Sequence, residues 1–395
     1  MAWWPVLHQS ARREWRLLCS RPWDLALISW VPLLAIALLW WIFSNGLPTR
    51  LPIGVMDDDH TALSRQLTRF LQATPGLDVI ERFENAAEAE QALRAGRVDA
   101  AVFIPADFTR SIKLGRATQV TLLHNAQLGT HSGLIQRDVR TAASTLSAGI
   151  EMSARNKRGE PAQVVRVSME PIRTGMVTLF NASLDYEQFL AAALIPALLH
   201  VLAMTAGAWA VGRELRDRTM DDWLLPSQKG SSRILAALLG KLLWAWLGLG
   251  LCGLLALLWI TVGRGWHPLG SLTWTAFALW IMLALSIAMG ALAASTTGSL
   301  RTALSATGFV TAPAFAFSGV GFPLLAMPEG ARTWADLLPF THYMRLQMEQ
   351  LQMGAPWSVS ARTPMVMALL CVAMLLVCVP LLQRALAQPG TWGKR

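Results

Sequence analysis

Few residues of this sequence have the type and spacing to do chemistry. Asp57-Asp58-Asp59-His60 is the only acidic cluster between residues 45 and 188, and hard metal ions favour such oxygen ligands. It falls where a strand hands over to a helix, however, and acids near a helix N-terminus need no metal to explain them. His124 and His131 have a glycine between them, and neither H-E-x-x-H nor C-x-x-C occurs, so both read as satisfied surface histidines. No G-x-S-x-G elbow offers a hydrolase nucleophile. No G-x-x-x-x-G-K-[ST] loop can cradle phosphates, because Gly240-Lys241 is followed by Leu242. The expectation is a chain with no catalytic residue, no metal and no cofactor of its own, in which any nucleotide hydrolysis comes from another polypeptide.

The surrounding elements belong to a membrane. Of 395 residues, 53% are hydrophobic and only 15% charged, with mean hydropathy +0.39, which points away from an ordinary soluble protein. Six apolar segments reach the roughly 20 residues a span needs: 24–44, 189–212, 234–262, 272–296, 304–326 and 364–386. The first follows Arg12, Arg13, Arg16 and Arg21 as a signal peptide would, but its apolar stretch is long and Ser44-Asn45-Gly46 is no cleavage site, so it reads as a retained anchor. Alternate crossing gathers those arginines on one side with Arg213, Arg216, Arg218, Lys229, Arg233, Lys241, Arg301, Arg384, Lys394 and Arg395. Arg264, Arg332, Arg345 and Arg362 fall on the other. The positive-inside rule then makes both termini cytoplasmic and segment 45–188 extracytoplasmic.

The net charge of +9 follows from this topology. Segment 45–188 holds 16 basic and 16 acidic residues, so the excess belongs to the membrane part and argues against a nucleic-acid face. Cys19, Cys252, Cys371 and Cys378 all lie in or beside spans, so the outer segment is stable without disulfides. Many of the 18 Trp lie near span ends, where amphipathic rings anchor at the interface.

Segment 45–188 has the pattern of an α/β domain. Strands are expected at 51–57, 77–83, 99–105 and 119–125, with helices at 61–73 and 86–96 and a long stalk helix at 132–156. Leu63, Leu67, Phe70 and Leu71 give the first helix a face to bury.

Between spans two and three the charges are dense. The second span runs on through Arg213, Glu214, Arg216, Asp217 and Arg218, which require water or a protein partner. Thr219 offers an N-cap hydroxyl with Asp222 as the capping-box acid, so a short helix is expected from Met220 to before Pro226. Met220, Trp223 and Leu224 share its apolar face, while Asp221 and Asp222 point elsewhere. That face fits either lipid or a cleft in a cytoplasmic partner, and periodicity alone does not choose.

In the fifth span, Pro313, Gly319, Gly321, Pro323 and Pro328 imply a helix that bends and then breaks. The stretch 331–354, interrupted by Pro339, is too polar to span and too apolar for a free loop, and reads as re-entrant or interfacial helices.

Taken in order, these features resemble a permease subunit of the ABC-2 type, in the branch with a large extracytoplasmic domain between spans one and two. The resemblance covers essentially the whole chain. The domain entry P-I-G-V-M-D-D-D-H-T-A-L-S-R-Q-L resembles that branch's strand-acid-helix start. Arg213-Glu214 with Thr219, Asp221, Leu224 and Pro226 resembles its charged loop R-E-x-x-x-G-T-x-E-x-L-L-x-x-P. Ser318-Gly319, Phe322-Pro323 and Met327-Pro328 resemble its S-G-x-x-F-P-x-x-x-M-P run, and Pro339, Thr341, His342 and Arg345 its P-x-T-H-x-x-R segment. Arg218 stands where the family usually has Gly, Asp221 replaces the usual Glu, and Pro226 comes early.

The resemblance implies an α-helical membrane protein of six transmembrane helices with an inserted extracytoplasmic α/β domain. Residues 1–44 would hold a cytoplasmic amphipathic helix and the first span, 45–188 the α/β domain, and 189–395 five spans, with a coupling segment at 213–233 and outer re-entrant helices at 331–354. It implies an exporter subunit of a bacterial inner membrane, paired with a second copy or paralogous permease, with membrane lipid and with a periplasmic adaptor. ATP and Mg2+ would sit on separate ATPase subunits. Arg213, Glu214, Arg218, Thr219, Met220, Asp221, Asp222, Trp223 and Leu224 would couple to the ATPase. Ser318, Gly319, Gly321, Pro323 and Pro328 would form a gating helix break, and Pro339, Thr341, His342 and Arg345 the outer re-entrant segment. The N-terminal stretch around Arg12, Arg13 and Arg16 would lie along the membrane as a second contact. Two other classes fit the frame less well. A sensor lacks a signalling domain after any span, and a secondary transporter usually carries mid-span ionisable groups, of which His200 is the clearest here and Lys241 lies near an end.

Overall fold

Proline and glycine placement decides where each apolar run stays helical. The computed structural model describes residues 3–44, 46, 48–124, 129–157, 185–224 and 230–392, and divides into two units, Leu47–Val177 and the remainder. The remainder opens with α1 (Trp3–Ser20), α2 (Pro22–Leu27) and α3 (Trp30–Phe43). The run 24–44, expected as one span, is therefore two helices parted at Ile28-Ser29. Pro32 has no N–H for the Ile28 carbonyl and its ring crowds that carbonyl, so the first helix does not run on through Ile28-Ser29 and the next starts at Trp30, with Pro32 in its first turn. With 14 residues, α3 is about 21 Å long, short of the roughly 30 Å hydrocarbon core.

The unit Leu47–Val177 contains β1 (Leu51–Asp57), α4 (Ala62–Ala73), β2 (Leu77–Phe83), α5 (Ala86–Arg94), β3 (Ala100–Ile104), α6 (Phe108–Lys113), β4 (Thr121–His124) and α7 (Gly129–Lys157). Its sheet order is β2-β1-β3-β4, with β4 alone antiparallel. Ile53, Val55 and Val102 pack with Leu67, Leu71, Ile135 and Val139 from α4 and α7. Phe83 and Ala101 pack with Ala89 and Ala92 of α5 in a second cluster. Parallel strands covered in this way are apolar along their length rather than alternating. Gly54 is required where the Phe83 ring crosses β1, because a Cβ there would overlap the ring.

The helical unit resumes with a π turn, Glu187–Ala191, leading into α8 (Ala192–Arg216), then α9 (Met220–Leu224), α10 (Ser231–Leu258), α11 (Leu272–Thr297), α12 (Leu300–Thr311), α13 (Glu329–Leu337), α14 (Pro339–Gln347), α15 (Trp357–Ser360) and α16 (Arg362–Ala387). Among the described residues, four helical stretches are long and apolar enough to cross a membrane: Glu187–Arg216, Ser231–Gly263, Leu272–Thr297 and Trp357–Ala387. The chain is thus a mostly helical, multi-pass membrane protein with a small four-stranded α/β region. The fifth expected span is not a continuous helix either. α12 stops at Thr311, just before Pro313, and turns follow to a short 3-10 segment at Leu324–Ala326. Helices α8 and α11 approach backbone to backbone through Gly207 and Gly290, each facing a carbonyl of the other helix where any Cβ would collide.

Candidate functional site

The densest polar constellation lies where α8 ends. Ser10, Glu14 and Leu18 of α1 share one buried face, and that face rests on α10 rather than on the membrane. Gly240 makes the contact close, since its missing Cβ would meet the Leu7 carbonyl. Ser10 Oγ donates to the Ala237 carbonyl at 2.7 Å, and Trp244 Nε1 donates to the Ala11 carbonyl at 2.9 Å.

Onto this seam α8 delivers Arg213 and Glu214. Arg213 is 2% exposed and Glu214 1%, so these charges do not project into solvent; the chain itself is their partner. Arg213 binds Glu14 at 2.7 Å and also Asp24, which in turn accepts from Trp209 Nε1 at 3.1 Å. Lys241 reaches both Glu14 and Glu214 at 2.7 Å, and Arg13 takes Glu214 in two bonds of 2.7 and 3.0 Å. Three cations, Arg13, Arg213 and Lys241, thus meet three carboxylates, Glu14, Asp24 and Glu214. Burying charge is tolerable only when pairing and hydrogen bonding are this complete.

The apolar face of α9 closes the cluster. Met220, Trp223 and Leu224 are all buried, against neither lipid nor partner but within this chain. Trp223 Nε1 donates to Ser10 Oγ at 3.0 Å, and Lys241 Nζ lies 4.8 Å from its ring centre. The Thr219 hydroxyl is not an N-cap. It turns back to donate to Glu214 Oε2, while the Thr219 carbonyl accepts from Trp223 N. Pro226, expected to stop the short helix, lies outside the described residues.

Arg218 has φ +59. It is the left-handed residue after α8, with Thr219 N bonded to the Glu214 carbonyl at 3.0 Å, a Schellman closure that favours glycine. Of residues 213–224, Arg216, Arg218, Asp221 and Asp222 face outward, with Asp217 half-buried between Arg216 and Arg21. The hydrogen bond from Arg216, followed by that from Arg21, holds the Asp217 carboxyl below the usual aspartate range despite partial burial.

At the other end of α8 lies a smaller pair. Arg264 binds Glu187 at 3.0 Å, Trp40 Nε1 donates to the same carboxylate at 3.1 Å, and the guanidinium lies 5.7 Å from the Trp40 ring centre. Among the residues of the broken fifth span, Gly319 has φ +84, and Ser318 Oγ donates to the Phe315 carbonyl at 2.6 Å. Gly321 stands in open space, and Pro323 and Pro328 precede the 3-10 turn and α13. Pro339 begins α14; Thr341 Oγ1 reaches the Phe317 carbonyl, His342 Nε2 lies 2.8 Å from the Asp336 carbonyl, and exposed Arg345 pairs with Glu349.

The acidic cluster of the α/β unit has local work. Asp57 accepts from the backbone of Asp59 and His60 and from Ser64 Oγ, and Asp59 accepts from Thr61 and from Thr109 backbone and hydroxyl. Burial pushes the Asp59 carboxyl up, but the bonds from Thr109 and Thr61 outweigh it and hold it below its ordinary value. His124 bonds Ser132 and Gln136, and His131 lies 3.8 Å from Asp99. Among the described residues no group of three or more His, Cys, Asp or Glu is arranged to hold a metal ion.

Glu14 and Asp24 were not picked out in the sequence as partners of Arg213. Asp24 and Lys241 did carry a signal, since a single ionisable residue in an apolar run must find an opposite.

Fold and site together define a multi-pass membrane protein whose conspicuous chemistry is charge pairing rather than catalysis. Residues 22–379 match the family described as ABC-2 family transporter protein, and the chain belongs to that family. It is a membrane permease component of an ABC transporter, of a family that lacks catalytic activity of its own and pairs with an ATPase subunit that binds ATP. No curated protein matches the chain.

Proposed function

We propose that this chain is half of the membrane part of an ATP-driven exporter of a bacterial inner membrane. Both termini and the α8–α10 junction are cytoplasmic, the α/β unit is extracytoplasmic, and α2–α3 and α12 with its following turns complete six crossings. The excess of Lys and Arg on one set of connections supports this orientation. Two permease chains, identical or paralogous, form the pathway, two ATPase subunits dock beneath them, and an extracytoplasmic adaptor meets the α/β unit.

The observation that carries the coupling assignment is the charge-balanced junction of Arg13, Glu14, Asp24, Arg213, Glu214 and Lys241, which binds α1, α2, α8 and α10 together. Met220, Trp223 and Leu224 couple from within, as the packed base of the junction. Arg218, Asp221 and Asp222 are the surface on which an ATPase can push, and Thr219 ties that surface to Glu214. ATPase closure then moves the junction as one body, α8 tilts, and the break at Ser318–Pro328 yields with the α13–α14 segment. The pairing of Glu14, Asp24 and Glu214 with Arg13, Arg213 and Lys241 weighs against ion-coupled transport, in which a carboxylate must exchange partners during the cycle.

The test is co-expression with the product of a neighbouring ATPase gene. Asp221→Lys with Asp222→Lys is expected to leave the permease folded while abolishing co-purification or permease-stimulated ATP hydrolysis. Unchanged assembly and unchanged stimulation would overturn the coupling assignment.

A further inference from the structure

Pro196 lies inside α8 and cannot donate to the carbonyl of Ala192, four residues back. A side chain from α14 supplies the missing donor: Gln347 Nε2 bonds the Ala192 carbonyl at 2.7 Å. That bond fixes the amide's orientation, because a carbonyl only accepts. It leaves Gln347 Oε1 buried without a protein partner. Tyr343, four residues earlier on the same face of α14, is fully buried, and its hydroxyl also lacks a protein partner. Both residues line one cavity, walled otherwise by Pro196, Leu199, Leu257 and Leu279. It offers about 10 Å3 to the centre of a water molecule, room for about one.

We propose that this cavity is a binding site for a single water molecule, which accepts from Tyr343 Oη and donates to Gln347 Oε1. The water bridges two side chains of α14, and the Gln347 amide links it on to α8 at the carbonyl that Pro196 leaves unpaired. Its chemistry follows from what the walls provide: one donor, one acceptor and an apolar remainder. A hard cation would find two oxygens where it needs about six or more. An apolar occupant would leave both polar atoms uncompensated in a low-dielectric interior. Because the Gln347 amide already closes the gap left by Pro196, the water completes a relay from the Ala192 carbonyl to Tyr343.

X-ray hydroxyl-radical footprinting of the full chain in nanodiscs tests this, since radicals formed from a bound water oxidise the side chain beside it. Tyr343 is expected to be oxidised several-fold faster than Phe340, an equally buried aromatic residue of the same helix that does not line the cavity. Equal, slow oxidation of the two would overturn the proposal without any variant being needed. Gln347→Met is expected to bring Tyr343 down to the Phe340 rate, and persistent fast oxidation would remove Gln347 from the site. Tyr343→Phe separates a bridged hydroxyl from an orphan by sign. A lowered Tm supports the bridge, and a raised Tm shows an uncompensated hydroxyl and overturns it.

Discussion

Helix α8 meets charge at both ends and handles it in two ways. At Glu187 a buried carboxylate meets one arginine whose side chain is 40% exposed, with the Trp40 indole against the pair. About 40 Å along the helix, Arg213 and Glu214 sit in a network in which each carboxylate has two or more partners and its core charges are nearly inaccessible. The chemistry of the pairs is the same, so burial and connectivity make the difference. A pair with one exposed member is partly screened, and water can take that member's place. A dry network fails badly when one member is lost, because the others stay buried without compensation.

Four measurements break or sharpen that contrast. The largest effect is expected from Glu14→Gln, which leaves Arg213 and Lys241 each short of a charged partner. Thermal unfolding in detergent should show a loss of about 3–5 kcal/mol, and a loss below that of an exposed pair would remove the contrast. Arg264→Gln at the other end should cost less, about 1–2 kcal/mol, in the same assay, because one carboxylate loses one half-exposed partner and keeps Trp40, so a cost equal to that of Glu14→Gln would break the comparison from the opposite side.

Arg218→Gly should raise stability by about 1 kcal/mol, because it relieves the left-handed backbone without touching the network. A destabilised variant would mean that the Arg218 side chain holds the junction. The smallest effect concerns pH. The folded chain holds the Asp217 carboxyl below its ordinary 3.8, so its stabilising contribution is complete above that value and is lost as pH falls through the folded pKa. Asp217→Asn should lower Tm slightly near neutrality, leave it unchanged at low pH where the carboxyl is protonated, and so flatten the decline of Tm below about pH 4.

Much of this was legible in the chain. The four long apolar helices and the four strands announce themselves through composition and turn residues, and Pro313 marks where α12 must end. The break at Ile28-Ser29 was harder to read. A proline in the first turn of a helix is compatible with helix, and the close approach of Gly248 to the Ile28 carbonyl is visible only in three dimensions. The apolar face of α9 was correctly placed on Met220, Trp223 and Leu224, yet its destination was open, because periodicity states which side is apolar and not what covers it. Thr219 went elsewhere for a related reason: a hydroxyl near a buried carboxylate gains more from a charge-assisted bond than from capping a five-residue helix.

The sequence by itself determined that this is a membrane chain without a phosphate loop, with an α/β insertion and a charged junction after its second apolar run, because hydropathy, period and motif are local properties. Only the tertiary structure decided that the junction turns inward and that Arg13, Glu14, Asp24 and Lys241 complete it. Those residues are separated from Arg213 and Glu214 by long stretches of chain. Which buried charge meets which is set by helix packing, and no local pattern encodes it.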